Sequence, residues 1–378
     1  TSGYDMFLAC VIWFVLLMPS MVVARKFGTT KYRAFCLYIW HSLFAVIYMV
    51  YLSKFGGDSL GYAAWAVEGR CEVAPGTKLI IATLCVLKDV SLGFISSFMV
   101  FQFIGAVGLI IFDGTLRSLQ LSGRYLRFFA GLLPFLPSMS FWSVAIGKDS
   151  IAFFAVCVTL WAAINLEHRK LFMFMGIVVM FLVRPHIGVT MTAALIIAII
   201  IASNISLGKR VLVILLLCVM GFFILKFALN YVGLPNITSV SEIQDYIAKR
   251  QSYNQEGGGG LDISSLSLPM MFFTYIFRPL PYEAHNISSL AASFDNLIIL
   301  LLVGYSCWRY MLANKVYFSR QDHNINFWFI ITYSVLVCLV LAQTTANLGI
   351  AVRQKWMMMP MLLFVCFYVI DHSKKRRR

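Results

Sequence analysis

The sequence predicts an all-α, polytopic integral membrane protein, and three observations carry that prediction. Of 378 residues, 60% are hydrophobic and 12% charged, with a mean hydropathy of +0.82. A soluble chain carries about twice that share of charge. The apolar residues fall in runs close to the ~20 that a helix needs to cross a bilayer. Strict period-2 alternation is missing, which argues against an outer-membrane barrel.

Hydropathy places eleven spans in order, at about 6–24, 34–52, 90–112, 128–146, 150–166, 171–187, 188–204, 211–230, 295–312, 326–343 and 356–371. The first, in FLACVIWFVLLMPSMVVARK, is long enough to cross and lacks a cleavable signal pattern. With no internal repeat and no soluble portion, residues 1–378 read as a single transmembrane domain with two long loops, at about 53–89 and 231–294. The first loop holds an apolar piece too short to span comfortably, expected to be interfacial or buried. The second opens with SEIQDYIAKRQSY, in which Val240, Ile243 and Ile247 share one face of a surface helix. GGGG (257–260) then reads as a hinge. After it, LPMMFFTYIFRPLPYEAHN turns back towards apolar surroundings until Pro279 and Pro281 stop it.

The net charge of +15 is unevenly distributed. With alternate loops assigned to opposite faces, one face holds 19 of the 31 basic and 4 of the 16 acidic residues; the other holds 12 of each. The positive-inside rule puts the basic face, with its KKRRR tail, in the cytoplasm, so the N-terminus and both long loops lie outside. The basic balance is therefore read as topology and contact with anionic lipid, not as a nucleic-acid site. The nine cysteines form no CxxC or Cys/His cluster, so the spacing supports neither a disulfide framework nor a zinc site.

Charges at membrane depth are costly, and their default reading is functional. On the predicted outer face they are Asp58, Lys148, Asp149, Arg184, His186, Arg278, Glu283, His285, Arg353 and Lys355. Arg184, Arg278 and Arg353 come from three distant segments, FLVRPHIG, YIFRPLPYEAHN and LGIAVRQKW, and each follows or interrupts an apolar run. Arginine stays charged in low dielectric and grips phosphate with two parallel donors. Converging on one pocket, these arginines with Lys148 and Lys355 suit a diphosphate. Asp149, Glu283, His186 and Asp58 are the candidates to orient or deprotonate an attacking hydroxyl; Asp58, in GGDSLGYAAWA, would do so if burial raised its pKa. Each also has a structural reading. Lys148–Asp149 can be a turn with Asp149 as helix cap, and Asp58 another cap. Arg184 can snorkel, Arg278 can anchor a re-entrant helix, and Arg353 and Lys355 can form an interfacial belt beside Trp356. His186 and His285 can be satisfied interfacial histidines.

The PFLPSMSFWSVAIGKDS turn, FRPLPYEAHN in a late outer loop and the C-terminal NLGIAVRQKWMMMPMLL together resemble the bacterial Wzy-like O-antigen and capsule polymerases, relatives of the GT-C class of glycosyltransferases. The resemblance implies a multi-pass protein of the bacterial cytoplasmic membrane with its site facing the periplasm. It further implies metal-independent polymerisation of polyprenyl-diphosphate-linked repeat units, both donor and acceptor lipid-linked, and a chain-length regulator as a partner. The GDSLGY loop leans instead towards GT-C transferases that use a monophosphate-linked donor, in some cases with a divalent metal, although Asp58 is its one acid. A transporter or flippase would place charges near mid-span and often show a repeat. An acyltransferase would want a buried histidine, and His41 in IWHSLF is the mid-span candidate.

Overall fold

The computed structural model describes residues 3–202, 259–312 apart from 264, and 325–375, with isolated positions between 208 and 252. The expected span at 211–230 and the surface helix of Val240, Ile243 and Ile247 lie outside the described residues. Among the described residues every regular element is helical. Five helices are long and apolar enough to cross a membrane: Gly3–Phe27, Lys31–Phe55, Phe94–Arg117, Ile287–Leu312 and Asn326–Thr344. A sixth is added if Leu348–Met357 and Met359–Ser373, bent by 66°, count as one broken span. The chain is a helical, membrane-embedded protein, and among the described residues five or six spans meet that length, against the eleven expected along the whole sequence. It divides into two compact units, Thr1–Pro185 and His186–Arg378.

Unit 1 is built around α5 (Phe94–Arg117), which is buried along most of its length and packs against α1 (Gly3–Phe27), α2 (Lys31–Phe55) and α8 (Lys148–Ala163). Small residues allow this approach: a Cβ at Gly105 would meet the Ser143 carbonyl at 2.1 Å, and one at Gly114 the Phe27 carbonyl at 2.0 Å. Charge fixes both ends of α5. Asp5 of α1 caps the N-terminus, accepting from the Ile95 and Ser96 amides at 2.9 and 3.1 Å. At the other end buried Asp113 accepts from Arg33 at 2.6 Å and Arg117 at 2.9 Å. His41 of α2 lies inside the unit, with Nε2 3.1 Å from the Ser143 hydroxyl, a hydrogen-bonded histidine of the bundle interior.

Between α5 and α8 the expected span at 128–146 is broken. Pro134 and Pro137 remove backbone donors, and the chain forms α6 (Arg124–Leu132), a 3₁₀ turn (Leu133–Phe135) and α7 (Pro137–Ser143). The first long loop carries α3 (Asp58–Val67) and α4 (Thr77–Asp89), and α4 buries Ile80, Ile81, Leu84 and Cys85, as its short apolar run suggested. Helix α9 (Leu166–Val183) stops at Arg184 because Pro185 follows, and α10 (Pro185–Ala202) starts there. The boundary expected at 187/188 therefore falls three residues earlier.

Unit 2 contains α11 (Leu268–Phe277), a 3₁₀ turn (Pro281–Glu283), α12 (Ile287–Leu312), α13 (Ile325–Thr344), α14 (Leu348–Gln354), a second turn (Lys355–Met357) and α15 (Met359–Lys375). Helix α12 packs on α15, and α11 on α13. The glycine run is anchored at its described end: Leu348 donates to Gly259 O at 2.8 Å and Leu261 to Ala346 O at 2.9 Å. A Cβ at Gly259 would lie 2.9 Å from Asn347 Oδ1. Here glycine permits close approach, where a free hinge was expected.

Candidate functional site

The residues singled out in the sequence fall into two polar clusters, one in each unit. In unit 1 the cluster forms where α3, α4, α8 and the end of α9 meet. Lys148 and Asp149 are the first two residues of α8, after Gly147. The N-cap position is Gly147, which has no side chain to cap with, and Asp149 sits in the first turn, where an anion suits the helix dipole. Its Oδ1 accepts from Arg184 Nη2, in a pair whose side chains are 8% (Arg184) and 11% (Asp149) exposed. Lys148 Nζ donates to Thr77 Oγ1 at 3.1 Å, and Ser59 Oγ donates to Ile146 O at 2.7 Å, tying α4 and α3 to the turn before α8.

Arg184 is buried and its Nε has no hydrogen-bond acceptor. A buried guanidinium donor without an acceptor is uncommon, and each such group calls for an explanation. Asp58 opens α3 and is exposed, so the burial expected to tune it as a base is not supplied.

The cysteine expectation is overturned nearby. Cys71 and Cys85, 14 positions apart in sequence, form a disulfide with Cα atoms 5.9 Å apart. The pair escaped the sequence reading because no motif marks it; the packing of α4 on α3 brings the two together.

In unit 2, Arg278 follows the last turn of α11 and both its Nε and Nη2 donate to Glu283 Oε1, the former at 2.8 Å. Glu283 Oε2 accepts from the Leu280 amide at 2.8 Å. Burial alone would raise the Glu283 pKa; the Arg278 guanidinium and the Leu280 amide outweigh it and hold the carboxyl below its usual value. With both oxygens engaged, Glu283 closes a short strap around Pro279 to Tyr282.

Beneath the strap lies a relay that the sequence did not announce. Asn296 Nδ2 donates to Pro279 O at 2.9 Å, and its Oδ1 accepts from Lys355 Nζ. Lys355 and Asn296 are 0% exposed and Asp295 2%, and the Asp295 charge acts on Lys355. Lys355, expected at the outer mouth, thus has its ammonium inside the unit. Asp295 and Asn296 were visible as a polar pair opening an apolar run, the signal by which they are found. Arg353 is half-buried in the last turn of α14. His186 is half-buried in the first turn of α10, its carbonyl accepting from Thr190 at 2.8 Å. His285 is exposed and its amide donates to Ser289 at 3.0 Å. Among the described residues no three His, Cys, Asp or Glu side chains gather as a metal site requires.

These features define a class: a helical membrane protein in which a buried arginine, Arg184, and a half-buried one, Arg278, are held by carboxylates at the ends of apolar helices. Compared with known proteins, the chain matches no family model, no curated protein and no solved structure.

Proposed function

We propose that the protein is a polysaccharide polymerase that joins polyprenyl-diphosphate-linked repeat units at the outer face of a bacterial cytoplasmic membrane. The observation that carries this reading is Arg184: buried, pre-ordered by Asp149, with Nε still lacking an acceptor and Lys148 on the adjoining helix turn. That is a guanidinium set up to receive a second anion, and phosphate is the anion it grips in bidentate fashion. Outside the cytoplasm nucleotide sugars are absent, so a sugar donor there is carried on lipid phosphate. Each cycle involves two lipid diphosphates, donor and acceptor.

In the reaction, an acceptor hydroxyl attacks the anomeric carbon of the donor glycan. A carbon–oxygen bond forms to the acceptor while the bond to the diphosphate breaks, and polyprenyl diphosphate leaves with the electron pair. Arg184 and Lys148 stabilise the charge that develops on it, the preorganised electrostatics that dominates much of catalysis. Asp149 takes the hydroxyl proton when the incoming phosphate draws Arg184 away from it. Glu283, with both oxygens engaged, keeps Arg278 in place. No metal enters this scheme.

The test is mass spectrometry of lipid-linked glycans and surface polysaccharide in the source strain with and without the gene. Complete single repeats accumulating without long chains are the expected result. Repeats short by one sugar would sink the polymerase reading in favour of a single-sugar transferase.

A further inference from the structure

We propose that the Cys71–Cys85 loop is a positioning strap for the Lys148 and Arg184 cations, and that Thr77 is its positioning residue. The proposal rests on the diphosphate reading of that cluster for its consequence, but its geometry stands independently. The disulfide closes the segment between the end of α3 and the third turn of α4. Two consecutive residues inside that closed segment touch the two cation-bearing elements. Gly76 donates its amide to Leu182 O at 2.7 Å, in the last turn of α9 and two residues before Arg184. Thr77 accepts from Lys148 Nζ at 3.1 Å through its hydroxyl.

The strap has little freedom to move. Gly76 has φ +84°, a left-handed value that a residue with a Cβ rarely adopts. Lys88 Nζ donates to Ala66 O at 3.2 Å, a second tie between α4 and α3, and Ile80, Ile81 and Leu84 are buried in the unit's core. Closing a loop by a disulfide removes conformations from the chain that it constrains. A lysine on a flexible four-carbon stem needs such a fixed partner to present its charge at one place. The same bond has a topological meaning: disulfides persist in oxidising compartments, so the strap belongs on the face that the charge bias assigns to the outside.

The experiment uses the full chain in detergent and two readouts. The first is the acylation rate of Lys148 by an amine-reactive reagent, followed by peptide mass spectrometry with exposed Lys54 as internal control. The variants are Thr77→Val, Thr77→Ser and the double Cys71→Ser/Cys85→Ser. Lys148 should label severalfold faster in Thr77→Val and in the double serine variant, and at the native rate in Thr77→Ser, which keeps the hydroxyl. The second readout is affinity for farnesyl diphosphate as probe. Thr77→Val should weaken it by about tenfold, which is ~1.4 kcal/mol, with Thr77→Ser restoring it. An unchanged Lys148 rate in both Thr77→Val and the double serine variant overturns the strap. Altered labelling with no farnesyl diphosphate binding by the native protein supports the strap and overturns the diphosphate reading instead.

Discussion

The two units hold arginines at the edge of an apolar interior by opposite means. In unit 1 the cluster is assembled from four elements, and its ties include Arg184 to Asp149, Lys148 to Thr77 and Gly76 to Leu182. A covalent bond stabilises the loop that makes two of them. In unit 2 the arginine meets its carboxylate five residues away, and the support comes from below through Asn296 and Lys355, both fully buried. The first arrangement leaves a guanidinium donor unclaimed; the second engages both oxygens of its carboxylate. The difference separates an arginine with a donor to spare from one whose carboxylate holds its own backbone in place.

Four substitutions break or sharpen that contrast. The largest effect should come from Lys355→Ala, which leaves the buried Asn296 Oδ1 without its Lys355 donor inside unit 2. Leaving a buried polar group without its hydrogen-bond partner costs about 1–3 kcal/mol, more for a charged one, and thermal unfolding in detergent should register it as loss of the folded protein. Arg184→Ala comes next. It should destabilise by ~2 kcal/mol, the scale of a hydrogen bond to a charged group, while abolishing polymer made in cells. Retention of full polymer length would remove Arg184 from the mechanism. Gly105→Ala forces a methyl against the Ser143 carbonyl and the His41 ring. Overpacking of that kind costs about 1–3 kcal/mol, so unfolding should shift while farnesyl diphosphate affinity in the surviving folded fraction does not.

The smallest effect is a pH dependence in unit 2. The Glu283 pKa is depressed in the folded protein, so its contribution is present above the unfolded value of 4.5 and is lost as pH falls through the folded one. Acid titration of stability should show this loss, and Glu283→Gln should flatten it. Equal acid sensitivity in the two proteins would mean that the strap does not depend on the carboxylate charge.

Much of the fold was legible because helix-forming apolar runs in a bilayer follow directly from composition. The apolar stretch at 128–146 was misread because hydropathy averages over Pro134 and Pro137, whereas backbone hydrogen bonding does not. Arg184 and Arg278 were legible as charges adjoining prolines at the ends of apolar runs, and both lie at helix ends held by carboxylates. Lys355 was misplaced for a reason the sequence conceals: its partners Asp295 and Asn296 are about sixty positions away, and an interfacial belt and a buried relay look alike when read along one strand of letters. Cys71 and Cys85 were missed for the same reason on a smaller scale, since only the packing of α4 on α3 makes fourteen residues into 5.9 Å.

Helix α8 has a consequence for the lipid around it. Its 16 residues between the polar ends Lys148 and Asn165 span roughly 24 Å at 1.5 Å per residue, against ~30 Å of hydrocarbon in an ordinary bilayer. A crossing by α8 would leave its two ends short of undeformed headgroup layers, so the membrane would thin there or Lys148 would sit below its surface. On the proposed function, a phosphate arriving at Lys148 would then do so while the chain it is attached to remained among the acyl tails. A long isoprenoid anchor would not have to be lifted out of oil for its headgroup to react, because the protein would lower the waterline to meet it.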